Sequence, residues 1–450
     1  MTDSRERFVH QHHGRIAQEA IAPRRRAVSS PKAGTDRLSP FLHSRAAPEV
    51  PPRGPRVRRA ARFAFPVRTQ LSTISGWSFR SRKCTGSAAE GWLLHWSFAW
   101  CRLRMHISVI IPVLNGAAFL ERCLESLTRS KLQPVECIVV DDRSADGSER
   151  IAEAMGAVTV RSERQAGPGA ARNFGAARSS GDLLVFVDSD VCVHQDTLSR
   201  IQARFDAEPD LDALIGSYDD APASPGFVSQ YKNLLNHYVH QHGHPDATTF
   251  WSACGAIRRD VFLAEGGFDE SYVRPAVEDI HFGYRLRQAS HRIALDGTIQ
   301  VTHLKRWTLG KLLRCDIFDR ALPWTRLILE SGHLPNDLNV AVSQRISALL
   351  AWTSAAFAVG GLWWPVLFAP ALVAAAGNVA LNQEFFRLLA ARRSWLFAAG
   401  ALPLHFAYYL YSSFTFAAGT VLYLLVWRRR PVVRHSRFTE HASGAGVPGT

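Results

Sequence analysis

Two aspartates one residue apart, Asp188 and Asp190, stand directly behind five consecutive apolar residues in the stretch DLLVFVDSDV, Asp182 to Val191. The apolar run reads as a strand buried on both faces, and a carboxylate at its end is costly without a partner. Carboxylates in this spacing suit a hard cation such as Mg²⁺ or Mn²⁺, which takes few protein oxygens and completes its shell with phosphate and water. A cation held there neutralises a departing diphosphate. A second acidic pair, Asp141-Asp142, closes the apolar run VECIVV, and a third, Glu278-Asp279, opens the stretch VEDIHFGYRLRQ. Arg172 and Asn173 lie between them in GPGAARNFGAARS.

The elements that must position these groups alternate in type. Ile107–Val113 is an apolar strand, and GAAFLERCLESL carries apolar residues at 119, 120, 123, 124 and 127, a helical stripe. VECIVV is a second strand, DGSERIAEAM a helix behind a capping residue, and AVTVR a third strand. A helix with Pro168 near its first turn follows, then the strand DLLVFV. Apolar strands alternating with helices predict an α/β fold with a mixed, mainly parallel sheet covered on both faces. Ligands of such sheets bind at the carboxyl ends of the strands, where Asn115, Asp141-Asp142 and Asp188-Asp190 all fall.

VIIPVLN, IVVDDRSADGS, GPGAARNFGAARSSGDLLVFVDSDV, GGFDE and VEDIHFGYRLR occur in this order over about half the chain, residues 107–310. Together they resemble the family 2 glycosyltransferases with their GT-A fold. The resemblance implies transfer of a sugar from a nucleotide sugar with the help of a divalent metal, Mg or Mn. It implies that Pro112, Asn115, Asp142, Arg172 and Asp188 hold the nucleotide sugar. Asp190 is then the direct metal ligand, with Asp188 sharing the metal or holding the ribose. Asp279 is the base that deprotonates the acceptor, with Glu278 beside it, and a single displacement inverts the anomeric centre. The loop Gly266 to Glu270, with Gly267, Phe268 and Asp269, is expected on the acceptor side. Processive members of the family carry Q-x-x-R-W. Here His303 replaces the Gln, while Arg306 and Trp307 are kept as acceptor-side residues. That departure speaks against a processive polysaccharide synthase. His303 completes the metal shell, touches the diphosphate, or is a satisfied structural histidine. Simple roles outside the site stay open for several of these residues: an exposed charge for Arg172, a structural one for Asp141, helix capping for Glu278-Asp279.

Three readings compete with sugar transfer: a processive synthase, a catalytically inactive nucleotide-binding scaffold, and a nucleotidyltransferase. The complete set of carboxylates argues against the scaffold. Glu278-Asp279 and GGFDE have no evident use in a nucleotidyltransferase. The helix FVSQYKNLLNHYVHQ is read as acceptor-side or membrane-facing surface. A metal site among His237, His240, His242 and His244 is a weaker reading, because no carboxylate pair completes it.

Charge restricts the partners. The chain carries a formal net charge of +14, but residues 1–104 alone hold 20 Lys/Arg against 6 Asp/Glu, and 105–450 hold 33 of each. The remainder is neutral, so no nucleic-acid partner is expected. Residues 1–104 are Arg- and Pro-rich without apolar periodicity and read as a disordered basic extension. Met105 is a candidate start, which would make the extension untranslated. Residues 105–335 form the GT-A domain. Ile346 to Gln383 and Trp395 to Trp427 contain no Asp, Glu, Lys or Arg. These predict C-terminal transmembrane helices over 346–430, two to four spans, followed by a disordered tail, 431–450. GGLWWP reads as a turn with interfacial tryptophans, EFFRLLAARR as an amphipathic membrane-surface segment. The chain is therefore expected to be an integral membrane protein with a cytoplasmic catalytic domain acting on a membrane lipid or lipid-linked acceptor. The seven cysteines form no C-x-x-C pair, which fits a reducing compartment.

Overall fold

A computed structural model describes residues 105–429 except 333 and 335. The basic extension, the whole of the expected tail and the candidate start's upstream context lie outside the described residues.

Eight strands form one sheet: β1 (Ile107–Val113), β2 (Glu136–Asp141), β3 (Val158–Arg161), β4 (Leu183–Val187), β5 (Val191–Val193), β6 (Ala213–Tyr218), β7 (Cys254–Arg258) and β8 (Ile293–His303). Their order is β3-β2-β1-β4-β7-β6-β8-β5. β1 pairs parallel with β2 and β4, β2 with β3, and β6 with β8. β7 runs antiparallel between β4 and β6, and β5 antiparallel to β8. Six strands therefore point the same way, and their carboxyl ends share one edge. Every residue of β1, β4 and β6 is buried, as full apolar runs in a two-sided sheet require.

The sheet is covered by α1 (Ala117–Thr128), α2 (Ser148–Ala154), α3 (Pro168–Arg178), α4 (Thr197–Ala207), α5 (Phe227–Gln241), α6 (Arg259–Ala264) and α7 (Glu278–Gln288). The stripe on α1 buries Leu120, Cys123, Leu124 and Leu127 as its spacing predicts. The expected cap of α2 sits one residue further out. Gly147 takes a left-handed φ of +86° at the N-cap, while Asp146 accepts the amide and hydroxyl of Ser148.

Beyond β8 come α8 (Leu309–Arg314), a π-helical turn (Cys315–Ala321), α9 (Leu322–Ser331), α10 (Val342–Gly360), α11 (Phe368–Leu381), α12 (Gln383–Arg392) and α13 (Trp395–Leu425). Among the described residues no single helix is long and apolar enough to cross a membrane. A bent pair, Pro365–Leu381 with Gln383–Arg392, passes together at a 65° angle. α10 and α11 form a hairpin whose turn holds Trp363 and Trp364, 68% and 65% exposed. α12 is amphipathic as read, but Phe385 and Leu389 on its apolar face pack with Tyr231 and Leu234 of α5 and Ala398 and Ala401 of α13. That face is used by the protein itself. Polar groups also tie the helices together: Asn378 and Asn382 donate to the Ser347 backbone and hydroxyl, and Tyr409 donates to Asn382.

Candidate active site

The carboxyl edge of the sheet opens into a cavity of about 520 Å³. Asp188 and Asp190 enter it from the end of β4, Tyr218 from β6, His303 from β8 and Asp279 from the start of α7. Segments separated by about a hundred residues thus deliver one histidine and three carboxylates to one space.

Asp190 and His303 are the best-defined pair. His303 is buried and stacks on Tyr218, ring centroids 4.4 Å apart at 11°. Its Nδ1 lies 2.6 Å from the Asn233 side-chain oxygen, and Asn233 donates its own amide to the Ser229 carbonyl. An acceptor at Nδ1 fixes a proton there and turns Nε2 toward Asp190, 3.5 Å away. Burial works against the charge on Asp190. The hydrogen bond and charge of His303, with Lys305, outweigh it and hold the carboxyl below its ordinary range. An imidazole oriented through its second nitrogen beside a carboxylate is the arrangement that metal sites use. Among the described residues no group of three His, Cys, Asp or Glu is placed to hold a metal. The Asp190–His303 pair fits a hard cation that draws its other ligands from a diphosphate and water.

Asp279 is buried and faces the cavity. Its Oδ2 accepts the amide and hydroxyl of Ser252, each at 3.3 Å, and its Oδ1 accepts the Ile280 amide at 2.8 Å. These donors hold the carboxylate in one orientation, as a proton acceptor toward the cavity requires.

Arg172, which the resemblance places on the nucleotide sugar, is paired with two carboxylates. Its side chain is 4% exposed, with Nη2 donating to Asp188 Oδ1 at 2.7 Å and Nη1 to Glu278 Oε1 at 3.2 Å. It is a buried bridge between the end of β4 and the start of α7, with Phe268 against its face. Glu278 is spent on that bridge and on the Ala276 amide. Burial and the adjacent Asp279 push the Glu278 carboxyl above its ordinary range, against the pull of Arg172. Neither residue lines the cavity; each positions one that does.

Asp142 is likewise committed to the chain: its two oxygens accept the amides of Ala166 and Gly167 at 3.0 and 2.9 Å. Asp141 accepts the Ser144 amide, with Arg161 at 3.4 Å. Asn115, at φ +53°, accepts the Ala145 amide and donates its own to Ser144, clamping the loop after β1 to the loop after β2. Pro112 is buried within β1 opposite Val140. These four shape the β1 and β2 end of the edge, three of them through bonds to backbone amides or loop hydroxyls.

The acceptor-side residues divide. Trp307 lines the cavity beside Lys305, whereas Arg306, between them in sequence, is exposed and is not among the residues lining it. Phe268 is a core residue, within 6.2 Å centroid distances of Phe186, Phe250, Phe262 and Phe282. Asn173 clamps the backbone of Phe268 from both sides, its oxygen accepting the amide and its nitrogen donating to the carbonyl. Asp269 pairs with His281 at 3.5 Å. The loop GGFDE thus anchors the segment that follows it, and Arg274, Pro275 and Ala276 reach the cavity instead. Gly267 has φ +65°, and a Cβ there would stand 2.4 Å from Asn173 Oδ1. Gly267→Ala should therefore cost about 1–3 kcal/mol in urea unfolding, from overpacking and left-handed strain; a change below about 0.5 kcal/mol would remove the clamp from this account.

Sequence reasoning missed Lys232, Arg274, Lys305 and Arg320, all on the cavity wall. The signal for Arg320 was weak: charges at 314, 316, 319 and 320 in an otherwise apolar segment. The π-helical turn that sets Cys315, Asp319 and Arg320 on the same wall leaves no mark in the sequence. Of the histidine cluster, His237 contacts the Tyr218 carbonyl at 2.7 Å. His240 lies on the cavity wall against Trp251, its pKa driven down to about 4 by burial and then by Arg320.

Residues 108–264 match the family model described as Glycosyl transferase family 2. The chain is 30% identical over 180 residues to glycosyltransferase GlyA of Streptococcus pneumoniae, covering 39% of this chain and 25% of that protein. It is 30% identical over 125 residues to glycosyltransferase GlyG of the same organism, covering 27% of this chain and 41% of that one. The chain thus spans a quarter to two fifths of the length of these relatives. A solved mannosyltransferase from Pyrobaculum calidifontis, in complex with GDP-Man and Mn²⁺, is 18% identical over 72% of this chain and 88% of its own, with a TM-score of 0.40. The match to the family 2 glycosyltransferase model thus falls on the first seven strands of a mixed α/β sheet.

Proposed function

We propose that the chain is an inverting, metal-dependent glycosyltransferase that moves a sugar from a nucleotide sugar to a hydroxyl or phosphate oxygen of a lipid-linked acceptor. The observation that carries this reading is the convergence of Asp188, Asp190, Asp279 and His303 on one cavity at the carboxyl edge of the sheet. For a hydroxyl acceptor, its oxygen attacks the anomeric carbon while Asp279 takes the proton. The bond from that carbon to the donor diphosphate breaks, and the nucleoside diphosphate leaves with the electron pair. One displacement from the opposite face inverts the centre. Asp190 and His303 are the residues that would hold a divalent cation, whose contribution is to neutralise the leaving diphosphate. Arg172 and the clamped loops keep Asp188 and Asp279 in register.

The test is incubation with UDP- and GDP-sugars, Mn²⁺ and a lipid extract, with the product anomer assigned by NMR. A product that retains the donor's configuration sinks the single displacement. Asp190→Ala should lower Mn²⁺-dependent donor affinity by about 10–100-fold or more in calorimetry. Equal affinity for the variant and the wild type with Mn²⁺ would remove Asp190 as a ligand.

We further propose that α10 to α13 hold the domain at the cytoplasmic face of a membrane. Supporting this are the exposed apolar residues of the hairpin, among them Leu362, Val366, Leu372 and Val373, each at least 70% exposed. Arg392 pairs with Asp220 and Arg393 donates to the Asp220 carbonyl. The basic helix end and the catalytic domain therefore share a side, the cytoplasmic one by the bias of arginine. Extraction of native membranes with carbonate and with detergent tests the attachment; release by salt alone would refute it.

A further inference from the structure

A second cavity, of about 340 Å³, lies beside the first between α9, α10 and α13. Its walls are mostly apolar, with Ile328, Val340, Ala348, Tyr408, Tyr409 and Phe416 among them. It reaches the surface, because Leu334 and Phe416 on its wall are 43% and 40% exposed. The two cavities share four wall residues, Lys232, Arg320, Trp324 and Asn339, so an apolar slot that opens among exposed apolar side chains adjoins the first cavity at these side chains.

The shared residues give the junction a charge. Lys232 is already paired with Asp316 at 2.8 Å, and Tyr411 donates to the other Asp316 oxygen. Arg320 is different: among the described residues no carboxylate oxygen comes within 4 Å of its guanidinium, and no hydrogen bond engages it. It is an exposed residue that lines both cavities. The protein packed around it works against its charge, but Asp279 foremost holds it charged. A guanidinium with five free donors at the meeting of a polar cavity and an apolar slot is matched by an anion carrying an apolar chain. Asp279 on the polar side disfavours placing that anion at the reacting oxygen itself. The arrangement suits a head-group hydroxyl at Asp279, a phosphate one step behind it at Arg320, and the chain beyond.

Resting on the sugar-transfer reading, we propose that this slot is the tail site of the acceptor, which is a lipid with a phosphate or diphosphate between its hydroxyl-bearing head and its apolar chain, the phosphate being read by Arg320. The transferred bond is the one already described: the head-group oxygen bonds to the anomeric carbon, its proton goes to Asp279, and the nucleoside diphosphate leaves.

The probe is a phosphatidylglycerol with a photoactivatable diazirine at the end of one acyl chain, given to the full chain in detergent micelles. After irradiation, peptide mapping should place the label on slot residues such as Ile328, Tyr409 and Phe416. Unlabelled phosphatidylglycerol should suppress it, and glycerol 3-phosphate at the same concentration should not. Arg320→Gln should weaken capture about tenfold, the worth of one charged hydrogen bond, with most of it regained in Arg320→Lys. Ser412→Trp, which fills the slot, should expel the label even if Arg320→Gln proves poorly folded. Label confined to outer residues such as Leu349 and Trp363, equal capture by Arg320→Gln and Ser412→Trp, or equal competition by glycerol 3-phosphate would each overturn the proposal. Calorimetry of UDP and GDP with Mn²⁺ on the wild-type protein separates the two readings. Nucleotide binding without slot labelling removes the tail site alone, and slot labelling without nucleotide binding removes sugar transfer and this site's role in it.

Discussion

Asp279→Asn should lower kcat by about 10²–10⁴-fold, the range a positioned general base contributes, while the donor dissociation constant stays within about twofold of wild type. The substitution preserves size. The Ile280 amide can still be met by the amide oxygen of the new side chain and the Ser252 hydroxyl can turn to accept from its nitrogen, while the long 3.3 Å contact from the Ser252 amide loses its acceptor. What is lost is a lone pair that takes a proton at neutral pH. On the proposed reading donor affinity rests on other residues of the cavity, Asp188, Asp190 and His303, so binding and turnover separate. Single-turnover transfer with saturating donor and acceptor measures the first quantity, and calorimetry the second. Wild-type turnover in the variant removes Asp279 as the base. A parallel loss of donor affinity moves it to the donor site. With a phosphate acceptor, already ionised, the same variant would lose little, so the size of the defect also reports the class of attacking oxygen.

The residues differ in how visible they were before the fold was known, and the difference is physical. Asp188, Asp190 and Asp279 were legible because a carboxylate at the end of an apolar run, or at a helix start, needs a partner and has none nearby in sequence. The central strands were legible for the same reason in reverse: β1 and β4 are apolar at nearly every position and lie where both faces are covered. β5 and β7 are short and antiparallel and carry no comparable run. Arg172 was seen, but its role was not, because Glu278 lies 106 residues away and only the fold brings them to 3.2 Å. Phe268 and Trp307 show the two outcomes of one rule. Both sit beside polar motif residues, yet one is clamped inward by Asn173 and the other faces the cavity. The uncharged C-terminal stretches read as spans because charge was the criterion. Burial of Ser347, Asn378 and Asn382 between helices gives them a use inside the protein that hydropathy does not register.

Arg172→Met should destabilise the fold by about 3–5 kcal/mol, because removing one member of a buried ionic group leaves the others uncompensated. Glu278, 5% exposed, bears most of that cost; Asp188, 33% exposed, is partly rescued by water. Arg172→Lys should recover little, since a point charge cannot span the two carboxylates as the planar fork does. The companion variant identifies the cause. Glu278→Gln in the Arg172→Met background removes the stranded charge and should return about half of the loss in urea unfolding. The pH dependence has a definite sign. The Glu278 carboxyl already lies above its ordinary range in the folded protein, and loss of the arginine raises it further. A folded-state pKa raised above the unfolded value gives stability that is complete below the unfolded value and falls as pH rises through the folded one. Arg172→Met should therefore lose stability more steeply than wild type from the ordinary glutamate range upward, and the double variant should lose that extra slope. A single variant within about 0.5 kcal/mol of wild type, or a slope unchanged by Glu278→Gln, would return Arg172 to the donor side of the site, where the sequence alone had placed it.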